Sequence, residues 1–322
     1  MGEASSYVNP LWPKAEWDVS GAFVNDRELI AFFDFTKQAL GFEPFHLVHG
    51  APLCTWNSGR VLKQLIRSGE EIREAGLAYE ERGIAVYLTF SNLLVEERHL
   101  QDYAGNALCQ FFARHNVTGR NGVIVANELL REHVRREYPG LRCVSSILNV
   151  VNCAGKGKPD VYRRLAEQYD EVMVHPDDVL NDELLESLED KDRYTLLVNE
   201  YCIRHCPLRP FHYKSLSMQA LDFFGYDGRE FDKQQMSNGC RDLVRMLTDE
   251  RLGVLALSTP EIAHLYDMGY RHFKLQGRGH ANASSILFDL MRLAWRTDGP
   301  GENTMHAVTQ RFLEYLTAAP RS

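Results

Sequence analysis

The sequence predicts an α/β fold: a TIM-type (β/α)8 barrel with an elaborated loop before strand 7 and C-terminal helices. Short apolar runs recur along the chain, each is followed by a polar turn, and amphipathic stretches separate one run from the next. The runs are Phe45–Val48, Ile84–Phe90, Val123–Ala126, Cys143–Leu148, Glu171–Val174, Tyr194–Val198, Gly253–Leu257 and His272–Leu275. Their near-continuous hydrophobicity is that of parallel strands buried on both faces. Eight of them alternating with helices close into a barrel, with a doubly wound open sheet as the alternative.

The elements follow in order. Residues 1–43 read as an N-terminal extension and helix, 44–280 as the barrel, and 281–322 as C-terminal helices packing on it, over Ala281–Leu293 and Thr304–Ala318. Helices between strands are read at Gly59–Ala75, Glu97–His115, Asn127–Tyr138 and Pro159–Tyr169 from apolar residues recurring on one face. One interval breaks the rhythm, because Pro207 to Asp249 spans about 40 residues before the next strand, far beyond an ordinary connection. An elaborated loop after a barrel strand belongs to the active face, or serves as a lid or an oligomer contact.

Composition narrows the function classes. A net charge of −8 argues against a protein that coats nucleic acid. The first residues have neither a basic start nor an apolar core, and no stretch reaches the roughly 18 apolar residues of a membrane span. A soluble, cytoplasmic protein is expected. Seven cysteines without a secretion signal fit a reducing compartment, where clustered thiols are more often ligands than disulfides.

The segment NEYCIRHCPLRPFHY, 199–213, places Cys202 and Cys206 four residues apart just beyond an apolar run. Thiolates on a loop held by a rigid strand can be aimed at one metal centre. Cys54, in HGAPLCTWNSGR, and Cys240, in the long loop, lie beyond other strands, so four thiolates at one end suit a 4Fe-4S cluster or a closed zinc site. Cys109 and Cys143 read as core, and Cys153 is a reserve ligand. GKGK at 155–158 lacks the spacing of a phosphate loop.

Strand ends share a cavity in a barrel, which gathers His49, Asn92, Asn149, Asn152, His175, Asn199, Glu200, Lys274 and Arg278. Glu200 with His205 or His212 supplies acid and base groups, and Arg204, Arg209, Lys274 and Arg278 hold an anionic substrate. Lys274 lies inside an apolar strand and, pointing inward, must find a partner for its charge. A salt bridge to Asp242 or Glu200 would account for both Lys274 and Arg278 without a substrate.

NEYCIRHCPLRPFHY, then NGCRDLVRMLTDERLG, then MGYRHFKLQGRG resembles the order of motifs in the collagenase-like peptidase family, peptidase family U-32. Upstream, VSSILNVVNCAG followed by YDEVMVHPDD is similar to that family's STQ-x-N-x-x-N strand and the strand after it. The resemblance spans residues 45 to 280. It implies a likeness to members that are iron–sulfur proteins in oxygen-independent hydroxylation of ubiquinone precursors or RNA bases. In the ubiquinone branch one ligand follows the first strand, as Cys54 does here, and related chains work in pairs. The sequence departs from the family where KLQGR replaces KIEGR, with Gln276 at the usual acidic position.

The expected function is an iron–sulfur oxidoreductase acting on a small aromatic or anionic substrate. Two alternatives stand beside it: a metal-dependent hydrolase or peptidase, with zinc at Cys202, Cys206 and His212, and a non-catalytic cluster-bearing partner subunit. In these readings Glu200, His212 and Lys274 are catalytic, while His49, Asn149, Asn152, His175, Arg204, Arg209 and Arg278 bind substrate. Cys54, Cys202, Cys206 and Cys240 hold the metal.

Overall fold

The structure is a computed structural model and describes residues 11–58, 67–226, 254–277, 283–295 and 305–318. Its centre is a closed barrel of eight parallel strands. Seven run in chain order: β1 (Glu16–Ser20), β2 (Leu47–Gly50), β3 (Ala85–Phe90), β4 (Gly122–Val125), β5 (Arg142–Ser145), β6 (Glu171–Met173) and β7 (Tyr194–Leu197). The eighth barrel strand is β10 (His272–Leu275), which pairs with β7 on one side and β1 on the other. Between β7 and β10 the chain inserts β8 (Asn199–Ile203) and β9 (Val254–Ala256), which pair with each other, antiparallel, outside the barrel.

Two sequence expectations change here. Gly253–Leu257 was expected as a barrel strand, yet Val254–Ala256 belongs to the small β8–β9 sheet. Its expected place in the barrel is taken instead by β1, EWDVS at Glu16–Ser20, inside the segment expected to be an extension. Its Asp18 and Ser20 are buried polar residues, so it shows no continuous apolar run. The barrel therefore begins well before residue 44.

Helices surround the strands. Among them are α1 (Asp26–Phe35), α2 (Gly69–Glu80), α3 (Tyr103–Arg114), α4 (Glu128–Glu137), α5 (Ile147–Asn152), α6 (Pro159–Gln168) and α7 (Asp182–Ser187). Ser68 opens α2 with a reciprocal capping box to Glu71, and Asn127 caps α4 by accepting from the Leu130 N–H. After β8 comes α8 (Arg209–Phe223), and α9 (Thr259–Asp267) leads into β10.

The last two helices, α10 (Ala283–Ala294) and α11 (Met305–Ala318), pack against α1 and the residues around it. Phe32 stacks on Trp295 at 5.3 Å and meets Phe312 edge-on at 5.1 Å, so aromatic burial fixes the C-terminal helices to the N-terminal one. No helix among the described residues is long and apolar enough to cross a membrane.

Candidate functional site at the barrel mouth

The strands end around a cavity of about 360 Å3. Two titratable groups on barrel strands line it, His49 on β2 and Lys274 on β10, and both bond Asp18 on β1, the strand between them. His49 Nδ1–H donates to Asp18 Oδ1 at 2.5 Å, and Lys274 Nζ donates to Asp18 Oδ2, also at 2.5 Å. All three side chains are buried. Burial opposes ionisation of Asp18, but His49 and Lys274 beside it hold the carboxyl below the usual carboxylate range. Burial also lowers the Lys274 ammonium and the His49 imidazole; the attraction of Asp18 offsets only part of this at each.

At neutral pH His49 is therefore neutral beside an ionised carboxylate. Because Asp18 accepts at Nδ1–H, the lone pair is on Nε2, which has no hydrogen-bond partner among the described residues. An imidazole oriented in this way is a general base, and Lys274 places a positive charge beside it.

The rim is built by loops and by α8. Tyr213 and Leu216 of α8 line the cavity. The helix is fastened to the loop after β3, where the Leu93 N–H donates to Ser217 Oγ at 3.1 Å. Asn92 serves that same loop, donating to the Thr55 carbonyl at 2.8 Å, which makes it a brace.

At its other end α8 is held by a charged cluster next to β6. Arg209 is buried and donates to Glu200 Oε1 at 2.5 Å and to the Ile203 carbonyl at 3.0 Å. Asp177 accepts from the His205 N–H at 2.8 Å and from Lys156 Nζ at 3.2 Å. His175 Nδ1 accepts from the Asp177 N–H at 3.1 Å. Burial pushes the His175 imidazole down to about 4, with the Arg209 charge acting in the same direction.

The expected site residues thus divide between places. His49 and Lys274 meet in the cavity, and Lys274 is paired with Asp18 rather than Glu200, while Asp242 lies outside the described residues. Glu200, Arg209 and His175 belong to the cluster that anchors α8. Asn149 donates to the Val125 carbonyl at 2.9 Å and to Ser145 Oγ at 3.0 Å, which makes it a strut between β4 and β5. Asn152 is exposed, Arg204 and His212 are half-buried, and Arg278 lies outside the described residues.

The thiols are also dispersed. Cys202 is on β8 and Cys206 in the turn before α8, both half-buried. Cys54 packs in the hydrophobic core beneath the loop after β2, and burial raises its thiol far above the ordinary range. Cys143 and Cys109 are core as expected, Cys153 is exposed, and Cys240 lies outside the described residues. Among the described residues no three His, Cys, Asp or Glu side chains gather as a metal-holding group. The described cysteines thus do not make a cluster ligand set, nor do Cys202, Cys206 and His212 make a zinc set.

Sequence reasoning missed Asp18. The signal that finds it is a lone carboxylate alternating with Trp17 and Val19, the pattern of a strand with one polar inward face.

No protein-family model matches the chain, and no curated protein matches it. Among solved structures it is similar to the U32 peptidase Mk0906, with a TM-score of 0.51 at 15% identity over 82% of this chain and 93% of that one. The likeness is one of fold. The GH113 β-mannanase AaManA from Alicyclobacillus acidocaldarius, solved in complex with ManMIm, aligns with a TM-score of 0.36 at 10% identity, over 95% of this chain and 97% of that one.

Proposed function

We propose that the chain is an enzyme that transfers a proton at His49 within the barrel-mouth cavity, acting on a small molecule. The observation that carries this reading is the buried Asp18–His49–Lys274 chain, whose His49 and Lys274 line the cavity. Asp18 fixes the imidazole tautomer, Nε2 takes the proton, and the Lys274 ammonium stabilises negative charge that develops on the substrate. The surrounding apolar wall limits water, which strengthens each of these interactions.

The test is deuterium exchange. A panel of small carbonyl compounds is incubated with the protein in deuterated buffer, and loss of their α-protons is followed by NMR. Exchange is expected with the native chain and is expected to fall by about a hundredfold or more in His49→Gln. Exchange that His49→Gln leaves untouched, or no exchange anywhere in the panel, removes the reading.

A second reading is an iron–sulfur oxidoreductase. What favours it is the placement of Cys202 on β8 and Cys206 in the turn before α8, both half-buried and four residues apart. Its remaining ligands must include residues outside the described ones, with Cys240 first among them. Iron and sulfide analysis after anaerobic purification, on the native chain and on Cys202→Ala, tests it. Iron content that the substitution does not lower counts against this site, and zinc without sulfide favours the metal-dependent hydrolase.

A further inference from the structure

We propose that Lys274 is a nucleophile: its amine condenses with a small aldehyde or ketone bearing an α-hydrogen, and His49 then removes that hydrogen from the iminium so formed. This rests on the acid–base reading of the same cavity and deepens it with a substrate class and a covalent step.

Lys274 lines the cavity from inside a closed barrel, where an inward side chain meets solvent through the barrel mouth. The side chains of His49, Asp18 and Lys274 keep 11%, 9% and 8% of their surface exposed. Asp18 is short and its Oδ2 holds Nζ, so surface left open at Asp18 is open next to the amine. Around it the wall includes Phe23, Leu53, Ile124, Leu148, Met173 and Leu197. A cavity of about 360 Å3 with such a wall admits a compact molecule with an apolar body. Burial outweighs the attraction of Asp18 and lowers the Lys274 ammonium, so more of it is free amine at neutral pH than on an exposed lysine.

Condensation needs no oxidant or reductant. Nζ gives one ammonium proton to solvent and attacks the carbonyl carbon with the freed electron pair, while the C=O π pair moves to oxygen. That oxygen takes one proton from Nζ and one from solvent, and it leaves as water. A C=N bond replaces the C=O bond. His49 Nε2 then takes the α-proton, and the C–H electron pair moves into the iminium to give an enamine.

Asp18 suits these two residues to this chemistry. The iminium keeps the positive charge and one N–H of the ammonium, so it can donate to Asp18 Oδ2 as Lys274 does now. When the α-proton moves, the positive charge passes to the imidazolium, which donates to Asp18 Oδ1. One buried carboxylate thus has a cationic partner before and after proton transfer, and neither state strands a charge. The base stands one carboxyl group away from the amine that would carry the substrate.

Reductive trapping on the native chain tests the proposal. The protein is incubated at neutral pH with cyclohexanone and sodium cyanoborohydride, which delivers hydride to an iminium carbon and fixes the adduct as a secondary amine. Peptide mass spectrometry then follows each lysine over time. Lys274 is expected to be alkylated about tenfold or more faster than any exposed lysine, since each unit by which an amine is lowered multiplies its free fraction about tenfold. Lys274→Arg keeps a cation for Asp18 but forms no imine, and it is expected to lose α-proton exchange of cyclohexanone by about a hundredfold or more.

The proposal is overturned by no adduct at Lys274, by an adduct that forms no faster than those on exposed lysines, or by exchange that Lys274→Arg retains. Exchange that still depends on His49 then leaves proton transfer standing, with the ammonium as its electrostatic partner. Rapid alkylation of Lys274 in a chain that exchanges no α-proton would instead keep the nucleophile and remove the acid–base reading.

Discussion

Asp18 has two hydrogen-bond donors and one carboxylate, so it orients His49 and compensates Lys274 at once. Breaking a buried ion pair from one side leaves the other charge stranded. Asp18→Asn is expected to cost about 3–5 kcal/mol of stability in denaturant unfolding, while the double change Asp18→Leu with Lys274→Met recovers most of it. The imidazoles set the acid limit. His49 and His175 are both lowered from 6.5 chiefly by burial, His175 to about 4, so in that window the unfolded chain binds more protons. The stability they contribute is complete above pH 6.5 and is lost as pH falls toward 4. The melting temperature is expected to drop over that range, with a shallower slope in His175→Asn, whose amide oxygen can still accept from the Asp177 N–H. Thiol chemistry separates the cysteines: iodoacetamide is expected to label exposed Cys153 first and to reach Cys54 and Cys109 only on unfolding, as mass spectrometry of timed samples will show. Lys274 and His49 were legible in the sequence because a charge inside an apolar strand and a histidine at a strand exit announce themselves. Asp18 was not, because its strand is five residues of mixed polarity whose inward face is polar. Glu200 read as catalytic and Arg209 as substrate-binding by type, but their pairing with each other is a tertiary fact that spacing does not encode.

At the scale of elements, the insertion between β7 and β10 positions the rim. β8 and β9 form their own sheet, and α8 runs from the Arg209–Glu200 pair beside β6 to the loop after β3. Removing the guanidinium beside a buried carboxylate loosens the helix it begins. Arg209→Met is expected to cost on the order of 3 kcal/mol, with amide exchange accelerating in 209–223 well before the barrel strands are affected. Uniform acceleration across the barrel would instead make Arg209 a global strut. The sequence marked this interval as exceptional by its length. It did not show that Gly253–Leu257 leaves the barrel, because a short apolar run reads alike in a central strand and in a two-stranded flap.

At the scale of the molecule, the barrel was legible from its rhythm: seven of the eight predicted strands take their place in it, and the eighth place goes to the unnoticed β1. The C-terminal helices were legible as helices, but their partner was not. The aromatic contact of Phe32 with Trp295 and Phe312 joins the two ends of the chain, and side-chain pairing at such separation leaves no local mark. The pair that closes the barrel is Asp18 with Lys274, separated by 256 positions. A ribosome adding roughly 5–20 residues per second delivers the carboxylate tens of seconds before the ammonium that compensates it. Throughout that interval β1 has β2 on one side and an open edge on the other, so the nascent chain must keep Asp18 hydrated until β10 emerges. The residue pair proposed to serve the chemistry is thus also the last stitch of the fold.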